Sequence, residues 1–122
     1  MKLKVANLYD LSIGLDDLSQ KELSISISLK IQRAQKIISE ELIASENVRQ
    51  QVIQKYKDRE LDNGGVKIKK DKLREFEEEM NELMKQELDV KLDKISIKDL
   101  ENEEIKIKPK ILMNLETILN AE

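Results

Sequence analysis

A helix-dominated α+β fold is predicted by three features of the sequence. Ile27, Ile31, Ala34, Ile38 and Leu42 recur at helical spacing among Lys, Glu and Gln, and the pattern resumes at Val52 and Tyr56. "DNGG" at 62–65 separates that segment from a second helical pattern. From Leu88 onward the apolar period falls to two, as in strands. A long helix and a second helix forming an antiparallel hairpin, then a small C-terminal β region and a short terminal helix, are expected within one domain, 1–122.

"MKLKV" alternates briefly and reads as a short strand. Asn7 stands where an N-cap is expected, with Asp10 three residues on. Leu8, Leu11, Leu15 and Leu18 then mark a helix over about 8–18, weakened by Gly14, with "SQKE" as the turn after it.

In "LSISISLKIQRAQKII" two periods compete. Leu23, Ile25, Ile27, Leu29 and Ile31 alternate, yet the helical pattern reaches much further, so a helix over about 25–57 is expected. At about 100° per residue, Ile25, Leu29 and Ile43 fall opposite the main stripe, where a surface helix is normally polar. Such a helix is on the order of 50 Å long. A compact domain of this size has a radius of gyration near 14 Å. The helix therefore bends near Ser45-Glu46-Asn47 or projects and packs against another copy; alternatively, the N-terminal helix alone covers the second side.

"VKIKK" at 66–70 reads as a short strand after the glycine turn. Asp71 is placed as the cap of a helix bearing Leu73, Phe76, Met80, Leu83, Met84 and Leu88. "LDVKLDKISI" and "EEIKIK" read as two strands around the acidic turn "DLENEE". Pro109 suits the first turn of a last helix bearing Leu112, Leu115, Ile118 and Leu119.

Composition narrows the chemistry. The chain lacks histidine and cysteine, which removes the commonest general base, the thiol nucleophile and the usual transition-metal ligands. No enzyme activity and no cofactor or metal are expected. A net charge of −3 with only three aromatic residues argues against a nucleic-acid partner. No signal-peptide pattern and no apolar run near 20 residues occur, so a cytoplasmic protein without a membrane span is expected.

Four polar features merit attention. Glu75, Glu78 and Glu82 lie opposite the apolar face of the second helix and read as solvated, whereas Glu77 falls at its rim beside Leu73, Met84 and Leu88. Glu41, Ser45 and Arg49 follow at steps of four inside an apolar stripe. Either Arg49 meets an anion there, or the three form a structural polar contact that fixes register between helices or subunits. "NGGVKIKKDK" brings Lys67, Lys69 and Lys70 to the start of a helix, an arrangement that suits an anion but lacks the spacing and the Ser or Thr of a Walker A loop. The serines of "LSISIS" have no histidine to activate them.

The segments "LSISISLKIQRAQKI", "VRQQVIQKY", the polar glycine turn, "FEEEMNELMKQELDVKLDKISIKDL" and "IKPKILMNL" occur in an order that resembles a class of small uncharacterised phage and prophage proteins. The resemblance implies a phage setting, hence the host cytosol, and carries over no functional residue. Together these readings favour a non-enzymatic, self-associating phage-type binding protein that occupies a host partner, with counter-defence as one role. Ile25, Leu29 and Ile43 are its candidate interface. The alternatives are sequestration of a nucleotide-like anion in subunit-interface pockets lined by Arg49, Glu41, Ser45, Lys67, Lys69 and Lys70, and a component of phage particle assembly.

Overall fold

The computed structural model describes residues 1–121. Strand β1 (Lys2–Lys4) leads straight into helix α1 (Val5–Ser19), and α2 (Ile25–Tyr56) follows a short turn. A hairpin of β2 (Lys57–Glu60) and β3 (Val66–Ile68) reverses the chain into α3 (Leu73–Lys85). The remainder is β4 (Glu87–Asp89), β5 (Ile95–Ser96), α4 (Ile97–Glu101), α5 (Pro109–Leu115) and β6 (Leu119–Asn120). The chain is thus a helix-dominated α+β domain.

Helix α1 is the centre of the core. Its leucines at 8, 11, 15 and 18 have no exposed surface, because α2 covers one side of their face and α5 the other. The main stripe of α2, Ile27, Ile31, Ala34 and Ile38, is buried against them. Tyr9 meets Glu46 and Asp16 meets Gln35, so α1 and α2 run antiparallel. Lys55 meets Glu79, and Tyr56 meets Phe76 edge-on, which makes α3 antiparallel to α2 as well. The long helix is the shared wall of both pairs, and it continues unbroken through Ser45-Glu46-Asn47.

Gly14 lets α5 approach. A Cβ built there would lie 2.8 Å from Leu115 Cδ2 and 2.9 Å from its Cγ, and Leu115 is itself fully buried. Glycine in mid-helix costs about 1 kcal/mol against alanine, and here the close packing offsets it.

The sheets are three separate two-stranded ladders. β1 pairs antiparallel with β4, setting Lys2 opposite Asp89 and Lys4 opposite Glu87, with buried Leu3 beneath. In the β2–β3 hairpin the turn depends on Gly64 at φ 85, a backbone conformation that glycine adopts without steric cost. β5 and β6 pair in parallel, Ile95 with Leu119.

Several local expectations need correction. Asn7 is not the N-cap of α1: helix begins at Val5, and the Asn7 side chain accepts from the Lys4 N–H at 2.8 Å from inside the first turn. Asp71 does not cap α3 either, since it lies in a 3₁₀ turn (Lys70–Lys72) that feeds the helix without any side-chain cap. Leu88 lies beyond α3 in β4, and Leu73 is largely exposed. The acidic "DLENEE" is no strand-joining turn, because its first half forms α4 behind the Ser96 cap. "EEIKIK" joins no ladder; Ile105 and Ile107 instead pack on the core from irregular chain. In the last helix Ile111 is buried in place of Leu112.

The N-terminus of α2 is held from far away in sequence. Ser24 Oγ accepts a long 3.5 Å bond from the Ile27 N–H, while the Ser24 N–H donates to Glu103 at 2.8 Å. These Ser24 donors hold the Glu103 carboxyl below its ordinary range.

Two outcomes are expected. Gly14→Ala lowers stability to urea by about 1–3 kcal/mol, because overpacking against Leu115 outweighs the helix-propensity gain. Glu103→Gln lowers the urea midpoint at neutral pH. A depressed carboxyl pKa contributes stability that is present above the unfolded value near 4.5 and lost as pH falls through the folded one. The gap between the two proteins therefore closes below pH 4.5, which urea titrations across the acid range read directly.

Candidate functional site

Three surfaces contain the residues singled out by sequence: the polar step in α2, the lysine-bearing hairpin, and the outer face of α2.

The polar step is drawn into helix packing. Ser45 is buried and its hydroxyl donates to the Glu41 carbonyl at 3.4 Å, one turn back. Arg49 Nη1 donates to Glu46 Oε2 at 3.4 Å, and the other oxygen of Glu46 takes a short hydrogen bond from the Tyr9 hydroxyl. Tyr9, Glu46 and Arg49 thus form a chain of contacts joining α1 to α2. Burial chiefly, together with the bond to the Glu46 carboxylate and its charge, pushes the Tyr9 phenol up to about 12, against an opposing pull from Arg49. Glu41 lies half-buried on the same stretch.

Lys67 and Lys69 come from β3 and its exit, and Lys70 from the 3₁₀ turn. All three line one shallow depression of about 350 Å³, together with Asp58 and Asp71. Arg49 does not line it, so within one chain the two halves of the expected anion pocket stay apart. The two aspartates offset much of the positive charge that would draw an anion.

The outer face of α2 is uncovered. Ile25 is 88% exposed, Leu29 47% and Ile43 63%. Helix α1 packs on the main stripe and its flank, through Leu8, Leu11, Leu15, Leu18 and Tyr9, so the alternative in which α1 alone covers the second side fails. Between Leu29 and Ile43 the face carries Gln32, Arg33, Lys36 and Glu40, all exposed, and none of them joins an ion pair among the described residues.

The carboxylates of α3 divide by position. Glu75, Glu77, Glu78 and Glu82 are exposed; Glu78 pairs with Arg74, and Glu77 is not the rim residue that its spacing suggests. Glu79, which spacing did not single out, is the one turned towards α2. The Tyr56 hydroxyl and then the Lys55 ammonium, 2.9 Å from Oε1, hold its carboxyl below the ordinary range, while Oε2 is buried without a well-formed hydrogen bond. Lys55 also lies 5.2 Å from the centre of the Tyr56 ring, whose edge contact with Phe76 makes Tyr56 a packing residue. Beside Glu79 opens a groove of about 250 Å³ floored by Val48, Val52 and Leu83.

Of the "LSISIS" serines, Ser24 caps α2 and Ser28 donates to the Leu23 carbonyl. Among the described residues no three carboxylates gather as a metal site, and no helix is long and apolar enough to cross a membrane. Comparisons with protein-family models, with curated proteins and with solved structures return no match.

The Tyr9 contact has a measurable pH signature. A phenol whose pKa is raised on folding contributes stability that is complete below its ordinary value of 10.0 and lost as pH rises through about 12. Tyr9→Phe is therefore less sensitive to alkali than the parent over that interval. Urea midpoints of the two proteins, compared at several alkaline pH values, isolate this part from the lysines that titrate nearby.

Proposed function

We propose that this chain is a non-enzymatic, self-associating binding protein that acts by occupying a partner. One observation carries the reading. Ile25 and Ile43 remain 88% and 63% exposed on a helix whose opposite side is closed by the core. Covering apolar surface contributes about 25 cal/mol for each Å² removed from water, and these two side chains, eighteen residues apart, offer that surface on one face of the helix. The segment resemblance adds a phage setting, with a host protein as the target and counter-defence as a role.

The absence of histidine and cysteine supports a role without catalysis, as does the engagement of the inward-facing polar groups. Tyr9, Glu46 and Arg49 engage one another, and Glu79 engages Lys55. A second reading, sequestration of a nucleotide-like anion, draws on the convergence of Lys67, Lys69 and Lys70 around one depression.

Sedimentation over a wide concentration range tests the first reading: mass rises above that of the monomer at micromolar protein. Ile25→Ser combined with Ile43→Ser shifts the curve towards monomer without loss of helicity, since both side chains are exposed. A monomer at every concentration refutes self-association. A thermal-shift panel of nucleotides separates the second reading, because a ligand that binds only the folded state raises the transition.

A further inference from the structure

Resting on the self-association just proposed, we infer that the outer face of α2 receives the same face of a second copy, antiparallel, about a two-fold axis at Lys36. The partner is fixed by how that face repeats. Leu29, Lys36 and Ile43 are spaced one heptad apart, so they lie along one stripe, with Lys36 at its midpoint. Turning a second helix end over end about Lys36 sets Leu29 against Ile43 of the second copy, and Ile43 against its Leu29. The apolar contact is made twice by one operation, as a closed two-fold interface requires.

The charges select the same arrangement. Arg33 and Glu40 are also one heptad apart, and both flank the stripe on the side away from α1. In an antiparallel pair of helices, residues of the same flank face each other. Arg33 therefore comes opposite Glu40 of the second copy, again twice, and both are exposed without an ion pair among the described residues of their own chain. A parallel pair would bring this flank against Ser28, Gln32 and Ser39, which carry no charge. Lys36 meets its own copy on the axis, and the Glu40 side chains one turn away moderate that repulsion. On the other flank Ile13 of α1, 50% exposed, falls between the Tyr9–Glu46 and Asp16–Gln35 contacts and widens the apolar surface.

The absence of cysteine makes the geometry testable by single-cysteine cross-linking of the full chain. With a short bis-maleimide, Lys36→Cys cross-links to itself. Leu29→Cys alone and Ile43→Cys alone do not, because equivalent atoms lie about 20 Å apart across the axis. An equal mixture of the two does cross-link. Glu40→Arg weakens association roughly tenfold, and Arg33→Glu combined with Glu40→Arg restores it.

A dimer that cross-links through Leu29→Cys alone, or through an Ile25→Cys and Ile43→Cys mixture in preference to Leu29→Cys with Ile43→Cys, overturns this register and leaves self-association standing. So does a dimer for which the charge swap fails to restore affinity. A monomer at all concentrations removes both.

Discussion

Four leucines of α1 with no surface in water set the terms for the rest of the chain. A helix of fifteen residues cannot hold itself together in isolation, so α1 exists because α2 and α5 close over it. Each neighbour is shaped by that demand. α2 commits its isoleucine stripe to α1, and α5 comes close enough to require glycine at 14. Fully burying each leucine contributes about 1.5–3 kcal/mol relative to leaving it exposed. That is a large share of what a domain of this size has in reserve. Other contacts trim this framework without replacing it.

One consequence is that α2 has no covering left for its far side. Helices α1 and α3 follow one another along its inner side, and the core takes only the stripe that faces them. Elsewhere polar side chains pair locally, Tyr9, Glu46 and Arg49 at one level and Lys55, Tyr56 and Glu79 at another, with Glu79 Oε2 left buried without a well-formed hydrogen bond. These are arrangements of helix packing with ordinary chemistry. Exposed apolar surface at Ile25 and Ile43 lies outside this framework.

How much of this is legible in the sequence depends on the range over which each signal acts. Helix α2 declares itself, because its apolar repeat outlasts the five alternating residues that imitate a strand. The turn is legible from Asn63-Gly64 and the last helix from Pro109, since both are backbone effects confined to one or two residues, whereas strand β2 before the turn is not. The partner of β1 is not legible, because Leu3 pairs with Leu88 across most of the chain. The alternating isoleucines after Leu88 mislead for the same reason. Ile97 turns into α4 at the Ser96 cap, and Ile105 and Ile107 reach the core without a strand beside them. Of Glu41, Ser45 and Arg49, marked by steps of four, Ser45 bonds back within α2 and Arg49 alone joins the contact between α1 and α2. Its essential members Tyr9 and Glu46 emerge only once α1 is laid antiparallel on α2.

Glu103, reaching back to Ser24, belongs with the pairings of Met1 with Val90 and Ile95 with Leu119. The first two close loops that span much of the polypeptide, and the third a shorter one. Helical turns form and dissolve within about a microsecond, whereas distant contacts must await a slower search whose rate falls as their sequence separation grows. Helices α1 and α2 are neighbours in sequence and can meet early, whereas Leu115 and Ile118, which complete the enclosure of α1, lie far along the chain from it. Until α5 docks, the leucine face of α1 stays open on one side, and transiently exposed apolar surface of that kind is prone to aggregation.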